Sequence, residues 1–136
     1  MADTSLTLMN ERTRCAVADD VEVALSRTAR RRGLLGRDGL APFSALVLAP
    51  CASVHTMFMR FAIDVVFVDS AGRAVRIVRD LTPWRAAIAS SAHVAIELPA
   101  GTLASREVTV GDPLYLVSAR SGRLPWSSSG LREALC

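Results

Sequence analysis

The chain has 136 residues, of which 51% are hydrophobic and 21% are charged, and its formal net charge is +3. This length and composition fit one folded domain with a buried core and exclude a chain that is disordered throughout. No apolar run approaches the roughly 20 residues of a membrane-spanning helix, so we expect no membrane association.

Two short strands around a polar turn are predicted near the N-terminus. Leu6 and Leu8 precede the turn at 10–13, and Cys15 and Val17 follow it. On both sides the apolar residues alternate with polar ones, which is typical of half-buried strands. The pattern therefore predicts a hairpin.

One amphipathic helix is predicted over about residues 20–32. Asp19 is followed three residues later by Glu22, which is the spacing of a capping box. Gly33 supplies a stop signal. The residues that recur at helical spacing between these signals are Val21, Ala24, Leu25 and Thr28.

The basic residues are all arginines, and Arg30, Arg31 and Arg32 form the densest group. Arginine can bind phosphate bidentately. However, no aromatic residues that could stack on bases lie between these arginines. We therefore interpret the group as cations that complement the dipole at a helix C-terminus, and we expect no nucleic-acid partner.

Buried strands are predicted in the middle of the chain, over residues 45–49 and 63–68. A glycine-rich loop at 34–42 precedes them. Its three leucines look exposed, but we interpret it as a packed loop that holds the helix against the sheet. The strand at 63–68 is apolar on both alternating sets of positions apart from Asp64, which is typical of a strand covered on both faces. Further strands are predicted, in chain order, over 74–78, 94–98, 108–110 and 114–117.

Seven or eight short strands with one helix predict a β-rich α+β fold. Its expected form is a small, mostly antiparallel β-barrel or rolled sheet, with the α-helix in the N-terminal half. Residues 1–118 are predicted to form this single domain. Residues 119–136 are rich in serine, glycine and arginine and are predicted to form a flexible C-terminal tail, with a last turn at 131–135.

Three cysteines, Cys15, Cys51 and Cys136, cannot all pair within one chain, and none forms a Cys-x-x-Cys motif. The first residues lack the positive and apolar segments of a signal peptide. We therefore expect reduced thiols and a cytoplasmic location, and we expect the protein to be a monomer.

Four motifs together resemble a known family. They are Arg-Gly-Leu-Leu-Gly-Arg at 32–37, His-Thr-x-x-Met-Arg-x-x-Ile-Asp-Val-Val-Phe at 55–67, Glu-Leu-Pro-Ala-Gly at 97–101 and Gly-Asp at 111–112. In combination, over about residues 14–118, they resemble the bacterial and archaeal domain of unknown function 192. The resemblance implies a compact β-rich fold with one helix near the N-terminus, and it implies no activity.

The stretch from residue 51 to residue 69 raises two chemical hypotheses that we do not favour. Cys51 as a nucleophile with His55 as its base would need a sharp bend, because strand residues four apart lie roughly 13 Å apart. His55, Met57 and Met59 share one strand face and could bind copper(I). Methionines at this spacing more often fill a core, so we expect no metal and no cofactor.

The third hypothesis is a polar pocket lined by His55, Thr56, Met59, Asp64 and Glu97. A carboxylate such as Asp64, between apolar neighbours, must be hydrogen-bonded or paired if it is buried. Whether Asp64 serves a ligand or only the fold stays open at this point. Glu97 lies on the opposite parity to its apolar neighbours and could equally face water.

The sequence thus favours a non-catalytic module, either ligand-binding or accessory, whose partner is an unidentified small ligand or protein. Two alternatives stay open. One is an enzyme that uses Asp64 and His55 as acid–base groups on a small polar substrate. The other is a protein-interaction adaptor that acts through the loop leucines and the tail.

Overall fold

The computed structural model of the protein describes residues 5–133, except for the side chains of Ser128, Ser129 and Glu133. Eleven strands and three short helices lie in this range. The strands are β1 (Leu6–Asn10), β2 (Cys15–Ala18), β3 (Asp20–Ala24), β4 (Ser44–Leu48), β5 (Ser53–His55), β6 (Ile63–Val68), β7 (Ala74–Leu81), β8 (Ala86–Ile88), β9 (Val94–Pro99), β10 (Leu114–Ser118) and β11 (Gly122–Leu124). The helices are α1 (Arg27–Arg32), α2 (Thr102–Ser105) and α3 (Ser128–Glu133). None of the helices in this range has the length and hydropathy that a transmembrane span requires.

The strands form three sheets. The largest has the order β3-β4-β9-β6-β7, a second has the order β11-β10-β1-β2, and β5 pairs with β8. Every pairing is antiparallel except that of β3 with β4. The predicted β-rich α+β class is therefore confirmed. The described strands do not close into a barrel, because β3 and β7 remain as the two edges of the five-stranded sheet.

The five-stranded sheet is covered on both faces, as the continuous apolar run of β6 predicts. Val66 and Val68 enter a first core, which also contains the side chains of the four-stranded sheet. Val65 and Phe67 point the other way, into a second core. That second core includes Leu34 from the loop after α1. The loop is therefore packed, as interpreted from the sequence, and Leu34 is buried although it looks exposed in the sequence.

The predicted helix over 20–32 is wrong in its first half. The chain forms β3 there, and α1 begins only after Ser26, whose Oγ accepts a hydrogen bond from Ala29 N at 3.0 Å. The capping box expected at Asp19 and Glu22 does not form. Val21 and Val23 are β-branched and fit a strand better than a helix. Their parallel pairing with β4 supplies the backbone hydrogen bonds that the first helical turns would have made.

Residues 108–110 do not form the predicted strand. They follow α2, which the sequence pattern does not predict, and they lead into a turn built around the buried Asp112. Its carboxylate accepts hydrogen bonds of 2.6 to 2.8 Å from three donors, Thr109 N, Asn10 Nδ2 and Arg12 Nε. Burial alone would raise the pKa of Asp112, but the hydrogen bonds outweigh it and hold the pKa well below its usual range. Thr109 and Asp112 are also joined by a backbone hydrogen bond from Asp112 N to Thr109 O at 3.1 Å, so the chain turns here instead of extending.

The segment after residue 118, expected from its composition to be a flexible tail, contributes a strand and buried side chains to the body. β11 pairs with β10. Leu124, Trp126 and Leu131 are buried in the first core, and Trp126 Nε1 donates a hydrogen bond to Leu114 O at 2.9 Å. The turn expected at 131–135 lies partly outside the described residues.

Candidate functional site

A cavity of about 300 Å³ lies between α1 and the five-stranded sheet. We call it the α1 cavity. Its lining is more apolar than polar, and Leu34, Leu48, Val54 and Met59 supply much of that apolar wall. All four belong to the second core. The α1 cavity is therefore an opening at the edge of a packed core, which is where small-molecule sites commonly form.

Glu97 places a carboxyl group at the inner end of the α1 cavity. It lies on β9, the middle strand of the sheet, opposite Leu46 of β4 and Val65 of β6. Its residue surface is only 4% exposed. The alternation of β9 correctly puts Glu97 on the opposite face from Ile96 and Leu98, but that face is covered and does not face bulk water.

The Glu97 carboxyl group accepts no hydrogen bond from any described residue. Every described side-chain oxygen or nitrogen that is fully cut off from solvent does have a partner. The oxygens of Glu97 must therefore be open to the cavity that they line. A carboxylate buried in this way without a partner is unusual, because buried charges are normally paired.

The charge state of Glu97 reflects this burial. Desolvation raises the pKa of Glu97 to about 7, although the positive charge of Arg37 opposes the shift. Arg37 does not bond to Glu97, since its guanidinium group binds Glu22 Oε2 at 2.8 Å. At neutral pH the carboxyl group is thus divided between its neutral and ionised forms.

Four arginines surround the mouth of the α1 cavity, namely Arg27, Arg30, Arg31 and Arg32. We call them the arginine rim. They are exposed or partly exposed, whereas Glu97 is buried, so the two charges lie at opposite ends of the cavity. Arg30 Nη1 donates a hydrogen bond to Pro50 O at 3.1 Å, across the mouth. Within residues 5–133, none of the four forms a salt bridge with a carboxylate.

The sequence pattern does not mark the arginine rim as part of a site. It correctly predicts that Arg30, Arg31 and Arg32 lie in the last turn of the helix. The available signal is a glutamate in the middle of a buried strand, because such a residue needs a positive or hydrogen-bonding partner. Nothing local to residues 27–32 shows that they face that strand.

His55 and Cys51 line the same cavity but do not form a nucleophilic pair. His55 ends β5 and is exposed. The Cys51 thiol donates to Ser53 O at 3.0 Å. Burial raises the pKa of the Cys51 thiol, with a smaller contribution from the nearby Glu97 charge. A raised pKa suppresses the thiolate that a nucleophilic cysteine requires.

The three residues considered for copper do not share a strand face. β5 ends at His55, and the chain then turns, so that Met57 is exposed while Met59 is buried in the second core. Among the residues that the structure describes, no three histidine, cysteine or acidic side chains could hold a metal ion together. The absence of a metal stays a prediction.

Asp64 lies on the other face of the sheet from Glu97 and binds backbone amides. Its Oδ1 accepts a hydrogen bond from Asp80 N at 2.9 Å, and its Oδ2 accepts from Gly101 N at 3.1 Å and from Leu103 N at 2.9 Å. It is fully buried. Asp64 therefore joins the end of β7 to the turn between β9 and α2.

Thr56 has a comparable structural role. Its Oγ1 donates to Thr82 O at 2.6 Å and accepts from Arg85 N at 2.9 Å. These bonds attach the segment after β5 to the segment after β7. Of the five residues predicted to form one pocket, the structure brings together three in the α1 cavity and places Thr56 and Asp64 elsewhere; the three are His55, Met59 and Glu97.

Comparison with known proteins gives a family but no reaction. The sequence profile of the domain of unknown function 192, described as "Uncharacterized ACR, COG1430", matches residues 8–116. A UPF0127 protein of Pyrococcus furiosus is 42% identical over 64 residues. That alignment covers 46% of this chain and 54% of the relative, so the chain spans about half the length of the curated relative that it matches.

Two solved structures share the fold. A protein of unknown function from Novosphingobium aromaticivorans superimposes with a TM-score of 0.71 at 19% identity, over 81% of this chain and 82% of its own. A protein from Sinorhizobium meliloti, whose name suggests a transcription regulator, gives a TM-score of 0.70 at 22% identity, over 81% and 90%. At these identities the likeness concerns the fold alone.

Proposed function

The chain belongs to the domain of unknown function 192 family, and from that premise we propose that it is a non-catalytic module that binds a small ligand in the α1 cavity. One observation carries the proposal. Glu97 is buried in the middle strand of the sheet, accepts no hydrogen bond from the described residues and lines the cavity. An apolar cavity with few, specifically placed polar groups is the usual form of a small-molecule site.

The arrangement gives no comparable support to the acid–base enzyme. That alternative requires Asp64 and His55 to act on one substrate. The two Asp64 oxygens already accept three amide hydrogen bonds, and they lie on the face of the sheet away from the α1 cavity. His55 lines the α1 cavity at the end of β5, so it does not share a site with Asp64.

The adaptor alternative loses its leucine surface. Leu34 is buried, and Leu35 and Leu40 are partly buried against the second core. The large exposed apolar residues lie outside the loop at 34–42. Two of them, Phe58 and Trp84, contact each other, with 4.6 Å between their ring centroids. We therefore place the functional site in the cavity.

The proposal is tested by titrating isotope-labelled protein with three single-headed probes, hexanol, hexanoate and hexylamine, and following the backbone amide resonances. We expect at least one probe to cause saturable shifts in α1, β9 and the segment around His55. Probes that produce no saturable shift, or shifts confined to other surfaces, would overturn the proposal.

A matched pair of variants separates binding in the cavity from binding elsewhere. Ser53→Tyr places a large side chain at the cavity lining, on a strand position where tyrosine is well tolerated. Ser90→Tyr makes the same change at an exposed turn position away from the cavity. We expect the first variant to weaken probe binding and the second to leave it unchanged.

A further inference from the structure

We propose that the α1 cavity takes a bipolar ligand, with an amine that meets Glu97 at the inner end, an anionic group that meets the arginine rim at the mouth, and an apolar body between them. This inference rests on the proposed function and deepens it by naming the class of ligand. It is carried by three separate features of the cavity, which are its inner end, its mouth and its wall.

The ligand group at the inner end of the cavity must donate hydrogen bonds. An ionised carboxylate is an acceptor only, with room for several donors. Glu97 receives none from the described residues, and its oxygens face the cavity. An ammonium group supplies up to three donors and a compensating charge, so it would remove the energetic penalty of this burial.

The ligand group at the mouth of the cavity must be anionic. Guanidinium groups bind carboxylate and phosphate groups in a bidentate geometry. None of the four arginines of the rim has a carboxylate partner within the described residues. Arg30 is already held across the mouth by its bond to Pro50 O. An anionic group at this position would therefore meet several cations that lack a counter-charge.

The wall between the two ends sets the body of the ligand. Cys51, Ser53 and His55 also line the cavity, but apolar side chains such as Leu48, Val54 and Met59 form most of its wall. A polar linker would therefore lose more hydrogen bonds to water than it could form on entry. A cavity of about 300 Å³ is at the small end of ligand sites. The ligand body is therefore short and aliphatic.

The direction of the ligand follows from the same charges. In the reverse orientation an anion would lie beside the Glu97 carboxylate, and an amine would lie among the four arginines. Like charges at both ends would oppose binding, whereas the proposed direction places opposite charges at both ends. The cavity thus favours one orientation.

The test compares ω-amino acids of increasing length with their single-headed counterparts, by calorimetric titration at about pH 8, where Glu97 is mostly ionised. The amino acids are γ-aminobutyrate, ε-aminocaproate and ω-aminocaprylate, and the counterparts are hexylamine and hexanoate. We expect one amino acid to bind at least about tenfold more tightly than either counterpart.

Two variants assign the two ends. Glu97→Gln keeps the shape but removes the charge, and we expect it to remove the advantage of the amino acid over hexanoate. The double variant Arg30→Gln with Arg31→Gln should remove its advantage over hexylamine. Glu11→Gln, at an exposed carboxylate far from the cavity, serves as the matched control and should change neither ratio.

The outcomes distinguish the two proposals. If hexanoate, hexylamine or hexanol binds in the cavity as tightly as the best amino acid, and Glu97→Gln has no effect, the bipolar ligand is wrong while the binding function stands. If no compound binds in the cavity, both proposals fail.

Discussion

Glu97 makes the stability of the protein depend on pH in an unusual direction. In the unfolded chain the pKa of a glutamate has its ordinary value of 4.5, whereas burial raises the pKa of Glu97 in the folded chain to about 7. Below the pKa of the unfolded chain, Glu97 is protonated in both states, and its contribution to the stability of the folded state is fully present. As the pH rises toward about 7, the unfolded state loses its proton first, so the folded state is progressively disfavoured.

The variant Glu97→Gln should remove this dependence. Relative to the parent, its free energy of unfolding should increase by about 3 kcal/mol between about pH 4 and pH 8, since each pKa unit corresponds to about 1.4 kcal/mol. Denaturant unfolding at a series of pH values measures the difference. The glutamine amide in the variant is also buried without a partner, but it does not titrate, so it shifts the free energy of unfolding equally at every pH. Glu11→Gln should follow the parent, and parallel curves for parent and Glu97→Gln would show that Glu97 is not buried as described.

Asp64 should contribute to stability and not to ligand binding. Asp64→Ala leaves three backbone amide donors without an acceptor, which costs about 1–3 kcal/mol. Asp64→Asn keeps one acceptor oxygen but turns an amino group toward the same donors, so it should also lower the melting temperature. Thermal melts compare both with Asp38→Ala, a change at an exposed carboxylate that should stay close to the parent. Melting temperatures that are unchanged or raised in both Asp64 variants would instead indicate a ligand role.

At the scale of elements, local pattern decides some structures and long-range pairing decides others. The run of β6 is apolar on both parities, and only a strand covered on both faces fits it. Residues 20–24 are ambiguous, because five residues with apolar positions at 21, 23 and 24 match both periodicities. Pairing with β4, which is distant in sequence, resolves them as a strand. The presence of Glu97 and the arginine rim in one cavity has the same cause, because it follows from long-range packing and not from a local pattern.

α1 should depend strongly on its N-cap. It has only six residues, none of them buried, so packing contributes little to it. Ser26→Ala removes the acceptor for Ala29 N and should cost about 1 kcal/mol. Hydrogen exchange of the amides from 27 to 33 should become faster. Thr28→Ala, in the same helix, introduces the better helix former and should leave exchange equal or slower. Equal exchange in the Ser26 variant and the parent would mean that the cap does not hold the rim of the cavity.

At the scale of the whole molecule, the candidate site belongs to only one of the two cores. The first core holds the four-stranded sheet and the segment after residue 118, and the second core holds the α1 cavity. Composition alone predicts a flexible segment after 118, because serine, glycine and arginine dominate it. This segment has few large apolar residues, but three of them, Leu124, Trp126 and Leu131, are buried in the first core. The sequence pattern does not show that these three side chains can pack against the first core beside β10.

That packing leads to a test with a natural control, since the protein has two tryptophans in opposite environments. Trp126 is 6% exposed and bonded to Leu114 O, whereas Trp84 is 59% exposed. Trp126→Ala should therefore cost about 3–5 kcal/mol and lower the melting temperature by many degrees. Trp84→Ala should have a small effect.

A chain shortened to residues 1–118 extends the same comparison. It loses β11 together with the three buried side chains, so it should melt at least several degrees below the parent.

Because these contacts lie in the first core, whatever Trp126→Ala protein remains folded should still bind hexanoate or the amino acids with the parent's affinity. Parent-like melting of both the shortened chain and Trp126→Ala would mean that the segment does not pack on the body. Weakened binding in folded Trp126→Ala protein would mean that the two cores are coupled through the central sheet.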